Sequence, residues 1–118
     1  MNWQALNDTG QLEKIKTSSN NPDFLGILIF KHSTRCATSA MVLERLERGW
    51  SYSDSQLPAY FLDLLRFPSV SDEIASVFGV QHESPQVLLI KDGICVYKDS
   101  HTAISVKRLT DSIQSDNK

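Results

Sequence analysis

The chain has 118 residues, of which 41% are hydrophobic and 22% charged, and its formal net charge is -2. This size and composition predict one globular domain over residues 1–118, and the small net charge gives no electrostatic support for a nucleic-acid or membrane partner. No apolar run approaches the roughly 18 residues of a membrane span, and the N-terminus has no signal-peptide pattern. We therefore expect a cytoplasmic protein.

The first half of the chain alternates strand and helix patterns. A short strand is predicted over residues 3–6, followed by a helix that Asp8 or Thr9 can cap. Residues 24–30 are almost wholly apolar, which is typical of a central strand buried on both faces. A polar loop follows this strand, and the next helix is predicted to end with Gly49 as its C-cap.

The second half continues this alternation. Residues 59–64 indicate a strand, with Pro58 at its start, where a missing N–H is tolerated. The following helix can be capped by Ser69 or Ser71, since serine at a helix start accepts a bond from an unpaired N–H. Gly79 is predicted to end this helix.

The last part of the chain predicts a hairpin and a final helix. Asp92 and Gly93 stand between two apolar runs, a pattern typical of a tight turn between antiparallel strands. The final helix is predicted to be capped near Ser100 or Thr102, and the tail at 115–118 is expected to fray. The order β-α-β-α-β-α-β-β-α indicates a three-layer α/β sandwich, with a mixed sheet of four or five strands and helices on both faces.

Cys36 is the candidate nucleophile. It follows the apolar strand and stands where the next helix begins, and the N-terminus of a helix favours the thiolate form of a cysteine. Arg35 adds a positive charge beside it. Ser39, three residues further on, lies on the same side of the helix, and its hydroxyl is predicted to donate a hydrogen bond to the thiolate.

The other cysteine, Cys95, lies in an apolar strand and is expected to be structural. Two separated cysteines do not form the framework of a disulfide-rich secreted domain, so both are predicted to be free thiols. His32, His82 and His101 are scattered along the sequence without the spacing of metal ligands, so no metal site is expected.

The order of elements resembles the thioredoxin fold. The cysteine at a strand-to-helix turn resembles that of thioredoxins, as does Ser84-Pro85 before a strand that leads to residues 91–93. Thioredoxins have Cys-x-x-Cys, whereas here the second position is Ser39. The resemblance implies that Pro85 is cis and that Ser84 presents backbone groups to an extended substrate beside Cys36.

A narrower family resembles residues 30–39 more closely. The monothiol bacilliredoxins of the YtxJ type have a Phe-Lys-His-Ser lead-in and a Thr-Cys-Pro-Ile-Ser core. This chain keeps the lead-in, the cysteine and the serine, but it departs from the core at Arg35, Ala37 and Thr38. The broader resemblance to the thioredoxin fold covers almost the whole chain.

This resemblance implies a monothiol thiol–disulfide oxidoreductase. Such an enzyme removes bacillithiol from S-thiolated cytosolic proteins through a Cys36 mixed disulfide. Bacillithiol is then a co-substrate, and no bound cofactor is expected. The residues expected to contact substrate are His32, Thr34, Arg35, Ser84 and Pro85.

Two other functions stay open at this point. One is a non-catalytic sensor or binding module with a thioredoxin fold, in which Cys36 merely becomes S-thiolated. The other is a glutathione-using monothiol enzyme with an iron–sulfur cluster. Enzymes of that second class typically read Cys-Gly-Phe-Ser, which Ala37 and Thr38 do not match.

Overall fold

A mixed five-stranded sheet forms the centre of the structure, a computed structural model that describes residues 1–116. Its strands are β1 (Trp3–Ala5), β2 (Ile27–His32), β3 (Ala59–Asp63), β4 (Gln86–Lys91) and β5 (Ile94–Ser100). They lie in the order β1-β3-β2-β4-β5. Strand β3 runs parallel to β1 and β2, whereas β4 runs antiparallel to β2 and β5. The predicted hairpin at the edge of the sheet is therefore confirmed.

Helices cover both faces of this sheet. They are α1 (Gly10–Ser18), α2 (Ala37–Gly49), α3 (Pro68–Phe78) and α4 (Val106–Asp116), with a 3-10 turn at His101–Ala103. Apolar residues of α1 and α3 form one buried cluster with the sheet, and those of α2 and α4 form a second on the opposite face. The predicted three-layer sandwich is confirmed. No helix within residues 1–116 is long and apolar enough to cross a membrane.

Strand β2 lies at the centre of the sheet, and all six of its residues are buried. Ile27 and Ile29 belong to the cluster beneath α1 and α3, while Leu28 and Phe30 belong to the cluster beneath α2 and α4. Successive side chains of a strand point to opposite faces, so two covered faces require an unbroken apolar run. Burial of each such side chain contributes roughly 1.5–3 kcal/mol. This strand is therefore a main anchor of the fold.

The bounds of β2 differ from the predicted range of 24–30. The strand begins directly after Gly26, whose φ of 158° is a conformation that L residues rarely adopt. A Cβ on Gly26 would stand 2.6 Å from Leu89 Cδ1, so the chain approaches β4 more closely there than a side chain permits. At its other end the strand includes Lys31 and His32, which the sequence pattern assigns to the loop.

Capping differs from its prediction at the start of α3 and agrees with it at the start of α1. Helix α3 begins at Pro68, so neither Ser69 nor Ser71 is its cap. Proline suits the first turn because its missing N–H would have no partner there. Helix α1 begins at Gly10, whose N–H donates to Asp8 Oδ1 at 2.6 Å. Asp8 was one of the two caps expected for this helix.

Helix α4 also starts later than predicted. It begins directly after Ser105, whose Oγ accepts a backbone N–H of the first turn at 3.1 Å. Ser100 instead ends β5, and Thr102 lies in the 3-10 turn. The helix extends through residue 116, so the first half of the tail expected to fray at 115–118 is helical. Residues 117 and 118 lie outside the described residues.

One buried residue of β2 is charged. Lys31 is 0% exposed, and its Nζ lies 2.6 Å from His82 Nδ1 and 3.2 Å from Gln86 Oε1. Burial lowers the pKa of Lys31 to about 8, although the charges of Asp72 and Glu83 oppose the shift. The fold therefore holds a buried ammonium group near neutral pH, and burial of that charge costs stability.

We predict that the cost of burying Lys31 disappears at high pH. The folded protein releases this proton near pH 8, whereas an unfolded chain keeps it to roughly pH 10.4. Because the unfolded state binds more protons in this window, stability rises with pH there. Relative to Lys31→Met, the wild-type free energy of unfolding should rise by about 1–3 kcal/mol between pH 8 and 10. Chemical denaturation across this range measures it.

Tyrosines and cysteines that titrate in the same range also change the free energy of unfolding with pH. Comparison with Lys31→Met cancels their contribution, because both proteins contain them. Lys91→Met removes a different lysine, which is half-buried, and controls for the change in net charge. Parallel pH dependences for wild type and Lys31→Met would contradict the prediction.

Candidate active site

Cys36 is the N-cap residue of α2. Its N–H donates to the Ser33 carbonyl at 3.2 Å, which closes a turn with the exposed Thr34 and Arg35 at its tip. The Cys36 carbonyl accepts the Ala40 N–H at 3.2 Å and begins the bonding of the helix. The cysteine is half-buried. Cys36 therefore stands beside the first N–H groups of the helix, which have no partner within the helix.

The hydroxyl of Ser39 connects α2 to the end of β2. Ser39 is 0% exposed, and its Oγ lies 2.7 Å from His32 Nδ1. The same oxygen accepts the Ser33 N–H at 3.2 Å. His32 ends β2, and Ser33 begins the turn that leads to Cys36. One buried hydroxyl therefore ties the cysteine turn to the first turn of the helix.

His32 is held in a largely apolar environment. Its ring centroid lies 5.8 Å from that of Phe30 and 5.3 Å from that of Phe61, and the residue is 7% exposed. Burial lowers the pKa of His32, and the negative charge of Asp63, its partner in β3, opposes this shift. The imidazole is therefore neutral near pH 7, with one nitrogen that can accept a hydrogen bond. When that nitrogen is Nδ1, it accepts a hydrogen bond from the Ser39 hydroxyl.

These contacts differ from those expected for two site residues. Sequence reasoning pairs the Ser39 hydroxyl with the Cys36 thiolate, but its partners within residues 1–116 are His32 and Ser33. His32 is expected in the loop and in contact with substrate, whereas the structure places it in a strand and buries it. The reason is that β2 extends beyond the apolar run. His32 therefore points into the layer between the sheet and α2.

Ser84 and Pro85 lie beside the cysteine turn. Gln86 of β4 pairs with Lys31 of β2, so Pro85 lies level with the last residue of β2 at the same end of the sheet. The Ser84–Pro85 bond is cis, as the resemblance implies, and the Pro85 carbonyl accepts the His101 N–H at 2.9 Å. Ser84 Oγ is buried and has no hydrogen-bond partner within the described residues. The structure thus brings this segment and Cys36 to one edge.

Cys95 lies at the other end of the sheet. It pairs with Ile90 of β4, which pairs with Ile27, the first residue of β2. Cys36 comes after the last residue of that strand, which is about 16 Å further at roughly 3.3 Å per residue. Burial raises the pKa of Cys95, and its Sγ donates to the Tyr97 carbonyl at 3.3 Å. Cys95 is therefore too distant and too weakly acidic to resolve a disulfide at Cys36.

Several residues that frame the site were not identified from the sequence. Asp63 pairs in register with His32, and its Oδ1 is buried without a partner within residues 1–116. The backbone N–H of His101 donates to the Pro85 carbonyl before β4, and the ring of His82 contacts Lys31. No group of three His, Cys, Asp or Glu side chains in this part of the chain is placed to bind a metal ion. The one usable signal is the position of Lys31 directly after the apolar run, because a lysine needs a buried partner if the covered strand extends to include it.

The profile of the family described as monothiol bacilliredoxin BrxC matches residues 4–109. The chain belongs to the monothiol bacilliredoxin family. The matched range includes the cysteine turn, Ser39 and the Ser84–Pro85 edge. The resemblance of residues 30–39 to this family is therefore confirmed, despite the departures at Arg35, Ala37 and Thr38.

Solved structures share the fold of this bacilliredoxin. A protein described as a candidate oxidoreductase with a thioredoxin fold aligns with a TM-score of 0.72 and 26% identity, over 92% of this chain and 90% of that chain. Malassezia sympodialis thioredoxin aligns with a TM-score of 0.70 and 14% identity, over 97% and 90% of the two chains. Fasciola hepatica thioredoxin gives 0.71 and 15%, over 95% and 97%. The thioredoxin fold is thereby shown, and family membership adds a thiol redox function.

We predict that Ser39→Ala lowers the free energy of unfolding by about 1–3 kcal/mol, because the Ser33 N–H and the His32 ring lose a buried partner. Chemical denaturation at pH 7 measures this loss. Thr38→Ala, in the same helical turn, is the matched control. A loss for Ser39→Ala no larger than that of the control would show that the hydroxyl does not hold the turn.

Proposed function

We propose that this bacilliredoxin removes bacillithiol from S-thiolated cytosolic proteins through a mixed disulfide between Cys36 and bacillithiol. The observation that carries the proposal is the isolation of Cys36. It is half-buried at the start of α2, Ser39 stands at the resolving position, and Cys95 lies at the far end of the sheet. A single thiol in this arrangement can attack a disulfide, but it cannot form an internal one.

In the first step, the Cys36 thiolate attacks the bacillithiol sulfur of the target's mixed disulfide. A new sulfur–sulfur bond forms between Cys36 and bacillithiol as the bond to the target breaks. The target cysteine leaves with the electron pair and takes a proton from solvent. The target is reduced, and Cys36 is now S-thiolated.

In the second step, the thiolate of another bacillithiol molecule attacks the bacillithiol sulfur of the Cys36 mixed disulfide. Bacillithiol disulfide leaves, and Cys36 recovers its thiolate and electron pair. Bacillithiol is thus a co-substrate, and the enzyme itself ends each cycle unchanged. The two electrons that reduce the target come from the two bacillithiol sulfurs that become joined.

Substrate contacts are proposed at this edge of the sheet. The exposed Thr34 and Arg35 stand at the tip of the turn, and the half-buried Ser84 and the buried Pro85 lie beside it. An extended peptide around the modified cysteine can bond to backbone groups near the start of β4, in the manner of an added strand. Ser39, together with His32, then serves to position the turn.

We predict that Cys36→Ser abolishes release of bacillithiol from a pre-modified protein, because no thiolate remains to attack the mixed disulfide. Release is measured by mass spectrometry of the target over time. In wild type without free bacillithiol, the Cys36 mixed disulfide should accumulate, since the second step lacks its co-substrate.

Cys95→Ser is the matched control and should keep wild-type turnover. Release by Cys36→Ser at the wild-type rate would contradict the proposal. A Cys36 that becomes S-thiolated but never releases a reduced target would identify a sensor instead. Parallel reactions with glutathione disulfide and bacillithiol disulfide show which small thiol is preferred.

We also predict that Ser39→Cys gives the site an internal resolving thiol, because positions three apart face the same side of a helix start. Oxidation should then form a disulfide with Cys36, seen in the intact mass as loss of the two thiol hydrogens. The mixed disulfide with bacillithiol should no longer accumulate. Accumulation equal to that of Ser39→Ala would mean that the two positions do not face each other.

A further inference from the structure

Two adjacent residues of β2 position the two parts of the site, which are the cysteine turn and the edge formed by Ser84 and Pro85. His32 contacts Ser39 on the face covered by α2, whereas Lys31 points to the opposite face and contacts the segment before β4. We propose that Lys31 is a positioning residue for the edge formed by Ser84 and Pro85. It acts through His82 and Gln86 without touching substrate, and the inference rests on the proposed function of the site.

The contacts of Lys31 flank this edge on both sides. Its Nζ lies 2.6 Å from His82 Nδ1, before the edge, and 3.2 Å from Gln86 Oε1, directly after it. Gln86 Nε2 in turn donates to the Gln81 carbonyl at 3.1 Å. The residues on either side of Ser84 and Pro85 are thus tied to one buried atom. A short segment held at both ends has little freedom to shift.

The chemistry of Lys31 suits positioning better than stabilisation. The ammonium group is fully buried, and its two hydrogen-bond acceptors are neutral groups. Asp72 and Glu83 influence it by charge alone, and no ion pair joins them to Lys31 within the described residues. An apolar side chain in such a position commonly costs less than a buried charge. What Lys31 adds is a directional hydrogen bond to His82 in the loop before β4.

The contacts of His32 with Ser39 and of Lys31 with His82 affect different steps of the proposed reaction. Ser39 and His32 set the turn that carries the nucleophile, so they govern the reactivity of Cys36. Lys31 sets the edge where the target protein docks, so it governs recognition. Loss of the Lys31 tie should therefore raise KM for a protein mixed disulfide while the reactivity of Cys36 is preserved.

The test uses His82→Ala in a Cys95→Ser background, so that Cys36 carries the only thiol. His82 is exposed, so this change spares the core. We expect KM for release of bacillithiol from a modified protein to rise roughly tenfold, since small misplacement of a docking group has large effects. Turnover number and the rate of Cys36 alkylation by iodoacetamide should stay within about twofold. His82→Gln keeps an acceptor for Lys31 and should restore KM.

Lys31→Met is the second variant, and Lys91→Met is its matched control. Lys91 also holds backbone carbonyls, those of Asn21 and Phe24, but at the opposite end of β4. Hydrogen exchange should accelerate at residues 81–86 in both His82→Ala and Lys31→Met, with no change at residues 33–40. Lys91→Met should leave both segments unchanged.

An unchanged KM in His82→Ala and Lys31→Met would overturn the inference, as would exchange at 81–86 equal to that of wild type. If the rate of Cys36 alkylation fell in these variants while KM rose, Lys31 would have a general structural role. That result would also overturn the inference. Wild-type protein that releases no bacillithiol would overturn the proposed function instead. The exchange rates would then still decide whether Lys31 orders residues 81–86.

Discussion

The burial of β2 on both faces determines where the groups of the site lie. Its apolar residues alternate between the two helical layers, and this alternation continues into Lys31 and His32. Because successive side chains of a strand point to opposite faces, these two polar residues enter different layers. His32 reaches Ser39 in α2, and Lys31 reaches His82 in the segment before β4. A single strand therefore orders the cysteine turn and the neighbouring edge together.

Ser39 acquires a second role from this arrangement. It stands where a resolving cysteine would be and cannot form an internal disulfide, so the proposed reaction relies on an external thiol. As a buried hydroxyl, it bonds to both His32 and Ser33, which a weakly bonding thiol would do poorly. The monothiol chemistry and the order of the cysteine turn thus depend on the same oxygen atom. Cys95 lies at the opposite end of the sheet and has a raised pKa, so it does not act as a resolving thiol for Cys36.

Most of the fold follows from local sequence patterns, since hydrophobic period and turn residues act over a few positions. The hairpin at Asp92 and Gly93 and the order of strands and helices are found where they are predicted. The exact starts of elements are not. Pro68 begins α3 without a serine cap, and Ser105 replaces the caps expected for α4. A helix start depends on which backbone groups the surrounding structure leaves unpaired, and the local sequence does not determine this.

The sequence by itself determined the fold class, the family, and the single cysteine at a helix start with serine three residues later. These features depend on residue type and close spacing, which are visible along one chain. Only the tertiary structure decided the partners of the polar groups. The contact of Lys31 with His82 spans 51 positions, and Ser39 meets His32 across the layer between helix and strand. Such pairs are set by strand register and by how far β2 extends, because these decide which face each side chain enters.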